Sequence, residues 1–246
     1  MKCNVRFLFI VGLLLGLGAP LSGAEKVIFA DDFGAASRGE RVRNLVTDPE
    51  PVGMGYTTDT PYGYRMKQWF VADAEPDKPR RSFWCIPERA DGVVESYAQQ
   101  SARSHDSIAF AGVALPAGAT DYAIEFRQWC NDNDTIAFIL GATRPIMAHD
   151  GVEFGYQRQL PGTDTTVKDI YYKGALGEGK IENQAMMRQW ADHRIEVRGT
   201  KITWSQNGVT LLEGVVATLK PGGYFGIRQR YERGTRYDDV KITLID

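Results

Sequence analysis

Few side chains in this 246-residue chain are typed and spaced for chemistry. Glu153, in Gly151-Val152-Glu153, alternates with apolar Val152 and Phe154, so in a strand it projects away from the core together with Gln157. A carboxylate so placed could act as general acid or base on a glycosidic bond. A solvated strand glutamate, or one paired with a neighbouring arginine, fits the same pattern. His149-Asp150 lies just before it, and an aspartate beside a histidine can orient it and raise its basicity, although neighbours on a loop often point apart. His105-Asp106, preceded by Arg103 in SARSHDSIAF, raises the same possibility. Tyr224, Arg228, Arg230 and Tyr231 form a richer set, because guanidinium groups hold carboxylate or sulfate through paired hydrogen bonds and tyrosine faces stack on sugar rings. In a lyase acting on a uronate, an arginine would neutralise the carboxylate while a Tyr or His removed the adjacent proton. The competing reading is a solvated sheet face whose arginines pair with Glu125, Glu153 or Glu232.

The elements that must position these residues are strands. Ile195 and Val197 alternate with Glu196 and Arg198, Ile202 and Trp204 with Thr203 and Ser205, and Asn207-Gly208 turns the chain between hairpin arms. DYAIEFRQW places Tyr122, Ile124 and Phe126 on one face and Glu125, Arg127 and Trp129 on the other. GYFGIRQRY divides Phe225 and Ile227 from Tyr224, Arg228 and Arg230. Together Trp129, Tyr224 and the arginines are expected to share one sugar-holding face. Strand signals also fall at 27–33, 67–74, 82–87, 92–99, 107–115, 135–141, 152–160 and 167–173, with loop and a broken strand over 34–64. Only 183–190 reads as a short helix, and His193, in the W-x-x-H segment, reads as structural. No internal repeat of fixed period is visible. The pattern implies an all-β, two-sheet antiparallel sandwich.

Residues 1–24 read as a secretory signal peptide: Lys2 and Arg6, an apolar stretch over 7–17, then Ser22-Gly23-Ala24. That stretch is shorter than the ~20 residues a membrane span needs. Residues 25–246 are then one domain, secreted to the periplasm or outside the cell, and a monomer is the expectation. The leader takes two of the 29 basic residues and none of the 31 acidic ones, so the formal net charge moves from -2 to -4 and argues against nucleic acid as a partner. It also takes Cys3, leaving Cys85 and Cys130 as either a disulfide or two buried thiols.

A D-D-F strand at 31–33, a tryptophan followed by Asp91-Gly92-Val93-Val94, the strand at 121–129, W-x-x-H-R-I-E-V at 190–197, the Asn207-Gly208 turn and a closing G-x-F-G-I with Asp238-Asp239-Val240 resemble the concanavalin A-like lectin/glucanase jelly rolls. Within that superfamily the chain is most similar to secreted domains called 3-keto-disaccharide hydrolase-like, and to laminin-G-like domains. The resemblance implies a jelly roll that binds or cleaves a poly- or oligosaccharide, acidic if the arginines hold it. It also implies that Arg144 and Gly151-Val152-Glu153 occupy a strand-end arginine and G-x-E position, although Thr143-Arg144-Pro145 departs from the usual strand. The E-x-D-x-x-E strand of family 16 glycoside hydrolases is missing, which disfavours their mechanism, and the alginate lyase pattern is not reproduced. First and last strands commonly lie side by side in this fold, so Asp31, Asp32, Asp238 and Asp239 could together hold a structural calcium ion; alternation turns one Asp of each pair inward. No organic cofactor is implied. The readings are a hydrolase, or a lyase if the substrate is a uronate; a lectin-like binding module; or an extracellular structural or adhesion domain.

Overall fold

The computed structural model describes residues 25–43, 62–73, 82–87, 94–98, 106–129, 135–159, 169–177, 179–181, 189–230 and 235–245. Seventeen strands are found among them: β1 Lys26–Asp31, β2 Arg38–Arg43, β3 Tyr62–Met66, β4 Trp69–Asp73, β5 Ser82–Pro87, β6 Val94–Ala98, β7 Asp106–Ala111, β8 Asp121–Trp129, β9 Thr135–Ala142, β10 Val152–Gln159, β11 Asp169–Gly174, β12 Gly179–Ile181, β13 Trp190–Arg198, β14 Lys201–Gln206, β15 Val209–Val215, β16 Tyr224–Arg230 and β17 Thr235–Leu244. A single 3-10 turn, Ala35–Ser37, interrupts them. The expected strand at 67–74 is shorter, because Lys67 and Gln68 turn the chain between β3 and β4. Trp190, expected to end a helix, opens β13; residues 183–188 lie outside the described residues, as do the leader, and Cys130 with the bridge it would make to Cys85.

The strands form two antiparallel sheets. One runs β15-β14-β13-β8-β17-β6-β5-β3-β2, with β1 also on β17; the other runs β12-β11-β10-β9-β16-β7-β4. β17 is central to the first: one edge takes β8, and the other takes β6 beside Thr235–Tyr237 and β1 beside residues 240–244. A register shift against β8 between Asp238 and Lys241 accommodates this change of partner, with Asp239 in the left-handed region at φ 50°. The β14–β15 hairpin turns on Asn207 and Gly208, whose φ values of 47° and 78° suit an Asn-Gly two-residue loop.

Alternation buries one face of each sheet against the other. β13 and β14 bury Ile195, Val197, Ile202 and Trp204, and β9, β10 and β16 bury Phe138, Phe154, Tyr156, Phe225 and Ile227. Each large apolar side chain so buried stabilises the fold by about 1.5–3 kcal/mol relative to exposure. The indole of Trp204 stacks on Tyr156 across the sandwich, with centroids 5.8 Å apart. Three polar pairs lie in this layer: Tyr156 Oη donates to Gln128 Oε1 at 2.8 Å and Trp84 Nε1 to Ser107 Oγ at 3.0 Å, both between the sheets, and Gln128 Nε2 donates to Tyr237 Oη at 3.0 Å within one. Such pairing offsets the cost of taking these groups out of water. His193 is structural, as its sequence context implies: its ring stacks on Phe126 at 5.0 Å, and its Nδ1 accepts from Trp204 Nε1 at 3.2 Å. Burial pushes its pKa down to about 3.

Candidate functional site

The other face of the seven-stranded sheet carries the candidate residues that come together. Residues directly opposite in neighbouring strands share a face, so the register lays out rows across it. One row runs Glu153, Ile139, Gly226, Phe110, Phe70; the next runs Gly155, Ala137, Arg228, Ile108, Ala72. Ile108, Phe110, Ile139 and Ala142 are fully buried on this side and form an apolar floor, with Ala72, Met147 and Tyr224 packed against it. Gly226 makes the floor possible, since a Cβ there would meet Phe110 Cδ1 at 2.7 Å. Phe70, 47% exposed, stands edge-on to Tyr224 with centroids 6.2 Å apart.

A charged cluster lies on that floor. Arg228 Nε donates to Asp106 Oδ1 at 2.6 Å, its Nη2 donates to Asp106 Oδ2, and its Nη1 donates to Glu153 Oε2 at 2.7 Å. Burial works against the guanidinium charge, but Asp106 and Glu153 outweigh it and hold the Arg228 pKa above its ordinary value. His149 comes in from the loop over residues 143–150, its Nε2 3.5 Å from Glu153 Oε2 and its ring edge-on to Phe110. Its Nδ1 is buried with no hydrogen-bond partner. Asp150 points away from His149: Oδ1 accepts from Thr143 N at 2.8 Å and Thr143 Oγ1 at 3.0 Å, and Oδ2 accepts from Lys220 Nζ at 2.6 Å. The Lys220 bond, with those from Thr143, holds the Asp150 carboxyl well below the usual range. The His149-Asp150 dyad therefore does not form; Asp150 clasps the loop and Glu153 faces the imidazole.

Glu153, His149, Tyr224 and Arg228 are thus gathered on one face. Arg144 is exposed on the loop that carries His149. Arg230 stands opposite Asp106 and Thr135 in the register, and its side chain lies outside the described residues, as do His105 and Tyr231. Trp129 is not on this face. It belongs to β8 in the other sheet, points outward there directly opposite Trp190, and lies under the Arg236 guanidinium at 4.9 Å. Asp106 is the member that its neighbour obscured in the sequence, where His105-Asp106 drew attention to the histidine. Its signal is the alternation of Asp106, Ile108 and Phe110 against Ser107, Ala109 and Ala111, a strand apolar on both faces.

The four aspartates expected to hold calcium do not form one set: Asp32 lies within electrostatic range of Asp238, itself beside Asp239, while Asp31 is turned away. Asp31 turns inward, where its carboxylate accepts from Trp69 Nε1 at 2.8 Å, from Phe33 N at 2.9 Å and from Ser37 Oγ. Asp32 Oδ1 accepts from Gly34 N at 3.0 Å. Asp238 and Asp239 face the Arg127 guanidinium at 3.3 and 3.7 Å, a cation already where a metal would compete. Burial, then Asp239, and more weakly Asp32, raise the Asp238 pKa. Among the described residues, no group of three or more His, Cys, Asp or Glu side chains is placed to hold a metal ion. These residues do not fit the ion.

No family model and no curated protein matches the chain. Solved structures do. A Bacillus subtilis protein of unknown function with a galectin-like fold aligns at TM-score 0.55 and 8% identity, over 90% of this chain and 98% of that one. An endo-β-galactosidase from Clostridium perfringens that releases GlcNAcα1-4Gal aligns at TM-score 0.51 and 10% identity, over 92% of this chain and 64% of that one. At such identities the likeness establishes the fold: this is a galectin-like, concanavalin A-like antiparallel jelly roll. No helix among the described residues is long and apolar enough to cross a membrane.

Proposed function

We propose that this is a secreted carbohydrate-binding protein whose ligand, a poly- or oligosaccharide, lies on the outward face of the seven-stranded sheet. The observation that carries the reading is the Glu153–Arg228–Asp106 cluster set on a buried apolar floor and flanked by Tyr224 and Phe70. A sugar ring presents an apolar C–H face and a rim of hydroxyls, and this surface offers an aromatic flank for the first and charged hydrogen-bonding groups for the second. The endo-β-galactosidase activity of the Clostridium perfringens neighbour, which releases GlcNAcα1-4Gal, is in keeping with that choice of ligand.

Cleavage of a glycosidic bond is the second reading, favoured by the approach of His149 to Glu153. Glu153 would then handle the proton at the glycosidic oxygen. Asp106, across the same guanidinium, would be the second carboxylate that hydrolysis uses. Incubation with neutral, uronic and sulfated polysaccharides, following retention, reducing ends and unsaturated-sugar absorbance, tests both. Retention abolished by Tyr224→Ala and weakened by Glu153→Gln is the expected result. Product that survives Glu153→Gln would displace the catalytic site, and retention of no polysaccharide would remove the carbohydrate reading.

A further inference from the structure

Arg228 is the cation at the centre of the face, and the sequence casts it as the clamp for an acidic sugar. Its guanidinium is instead committed to the protein. Two of its nitrogens face the two oxygens of Asp106, and the third donates to Glu153. It is also the least exposed member of the cluster: its side chain is 15% exposed, against 22% for Asp106 and 28% for Glu153. A ligand approaching from solvent therefore meets the carboxylates before the cation that joins them. A uronate or sulfate reaching the guanidinium would lie beside Asp106 and Glu153, and like charges at such range repel strongly where water is partly excluded. A sugar hydroxyl meets no such conflict, because it donates to a carboxylate oxygen and accepts from a neighbouring N–H without breaking the pairs.

The floor points the same way. Next to the cluster, the row Gly155, Ala137 offers almost no side-chain bulk, and Phe110 and Ile139 lie buried beneath it as hydrocarbon backing. A ring edge of C–H and O–H groups suits that surface better than an ionised substituent, which would lose hydration there.

Resting on the carbohydrate reading above, we infer that this site selects neutral, hydroxyl-bearing glycans and discriminates against uronates and sulfated sugars, with Asp106 and Glu153 as the selecting groups. Asp106 acts in two ways: it offers acceptor oxygens at the surface, and it holds Arg228 so that Glu153 is held in turn.

The test is binding by the purified full chain to dextran, galactan and cello-oligosaccharides, each beside its sulfated and its carboxylated derivative, by calorimetry or affinity electrophoresis. The neutral form of whichever glycan binds should be preferred by about tenfold or more, and its affinity should change less than about threefold between low and high salt, since little charge is neutralised on binding. Asp106→Asn removes one of the two carboxylates and releases part of the guanidinium, so it should narrow the preference; Glu153→Gln supplies the same comparison should Asp106→Asn not fold. A sulfated or carboxylated glycan bound as tightly as its neutral parent, through Arg230 or any other group, overturns this selectivity while leaving carbohydrate binding intact. A neutral preference unchanged in both variants overturns the role given to the two carboxylates. Binding of no glycan in any form overturns the parent reading, and this inference falls with it.

Discussion

The two sheets present opposite kinds of outer face. On the ten-stranded sheet, charges of alternating sign are chained in the open: Glu125 pairs with Arg194 at 2.6 Å and with Lys241 at 2.8 Å, Arg194 with Glu196 at 3.0 Å, and Glu196 with Arg198 at 3.2 Å. Each of these side chains is between 34% and 44% exposed. On the seven-stranded sheet Asp106, Glu153 and Arg228 are gathered at one place, more deeply set, and surrounded by hydrocarbon. An alternating ladder is a way of solvating a strand face, and its exposed pairs contribute little to stability. A cluster over an apolar floor has lost part of its hydration already, which is the condition under which polar groups recognise a ligand strongly. The difference separates a face that keeps the protein in water from one prepared to exchange water for something else.

The floor should give the largest effect. Phe110→Ala removes a ring that is fully buried on the outer side of β7, and should cost about 3 to 4 kcal/mol in denaturant unfolding. Trp129→Ala, on the half-buried platform of the other sheet, should cost about 1 kcal/mol or less. Equal costs would mean that the two faces are not different in kind.

Acid separates the faces from the layer between them. His193 is held neutral by burial, its pKa about 3 against an ordinary 6.5. The unfolded chain binds the proton first, so the stability from His193 is present above pH 6.5 and lost as pH falls toward 3, at about 1.4 kcal/mol per pH unit. Glu125 and Glu196 respond later. Burial opposes their ionisation, but Lys241 and Arg194 for Glu125, and Arg194 and Arg198 for Glu196, hold their pKa values below the usual 4.5. Their contribution is present above pH 4.5 and lost below it. Urea titrations between pH 7 and 4.5 should therefore show a slope that His193→Gln flattens and Glu125→Gln does not; a slope that persists in His193→Gln would assign it elsewhere.

The smallest effect compares the arginines. Arg228→Ala strands two carboxylates and should cost about 2 kcal/mol, below the ~3–5 of a fully buried pair because water reaches the cluster. Arg194→Ala should cost less than about 1 kcal/mol, as exposed pairs do. Double-mutant cycles with Asp106→Asn and Glu125→Gln would sharpen the contrast, which fails if both coupling energies are alike.

Much of this contrast was written in alternation. The separation of Phe225 and Ile227 from Tyr224 and Arg228, and of Ile124 and Phe126 from Glu125 and Arg127, is the separation observed. Alternation also said that one aspartate of the first pair must turn inward, and Asp31 does. Period two assigns a residue to the inner or outer side of its own strand and is silent about which sheet that strand joins. Trp129 and Tyr224 both point outward, from sheets on opposite sides of the core, so grouping them on one sugar-holding face was an error that no local pattern could reveal. The union of Asp106, Glu153 and Arg228 has the same origin: it depends on β7, β16, β9 and β10 lying in that order, a property of long-range pairing.

That order of pairing also governs how the molecule can be assembled. β17 is flanked by β8 on one edge and by β6 and β1 on the other, so the ten-stranded sheet has no middle until the latest strand in the described chain arrives. As the polypeptide is synthesised, β1, β6 and β8 wait with open edges for a partner far along the sequence, and contacts so distant close slowly. Chain growth and folding are therefore separate events for this sheet. A fragment ending before β17 keeps three strands exposed at the place where the finished protein has its centre, and is the form most exposed to aggregation.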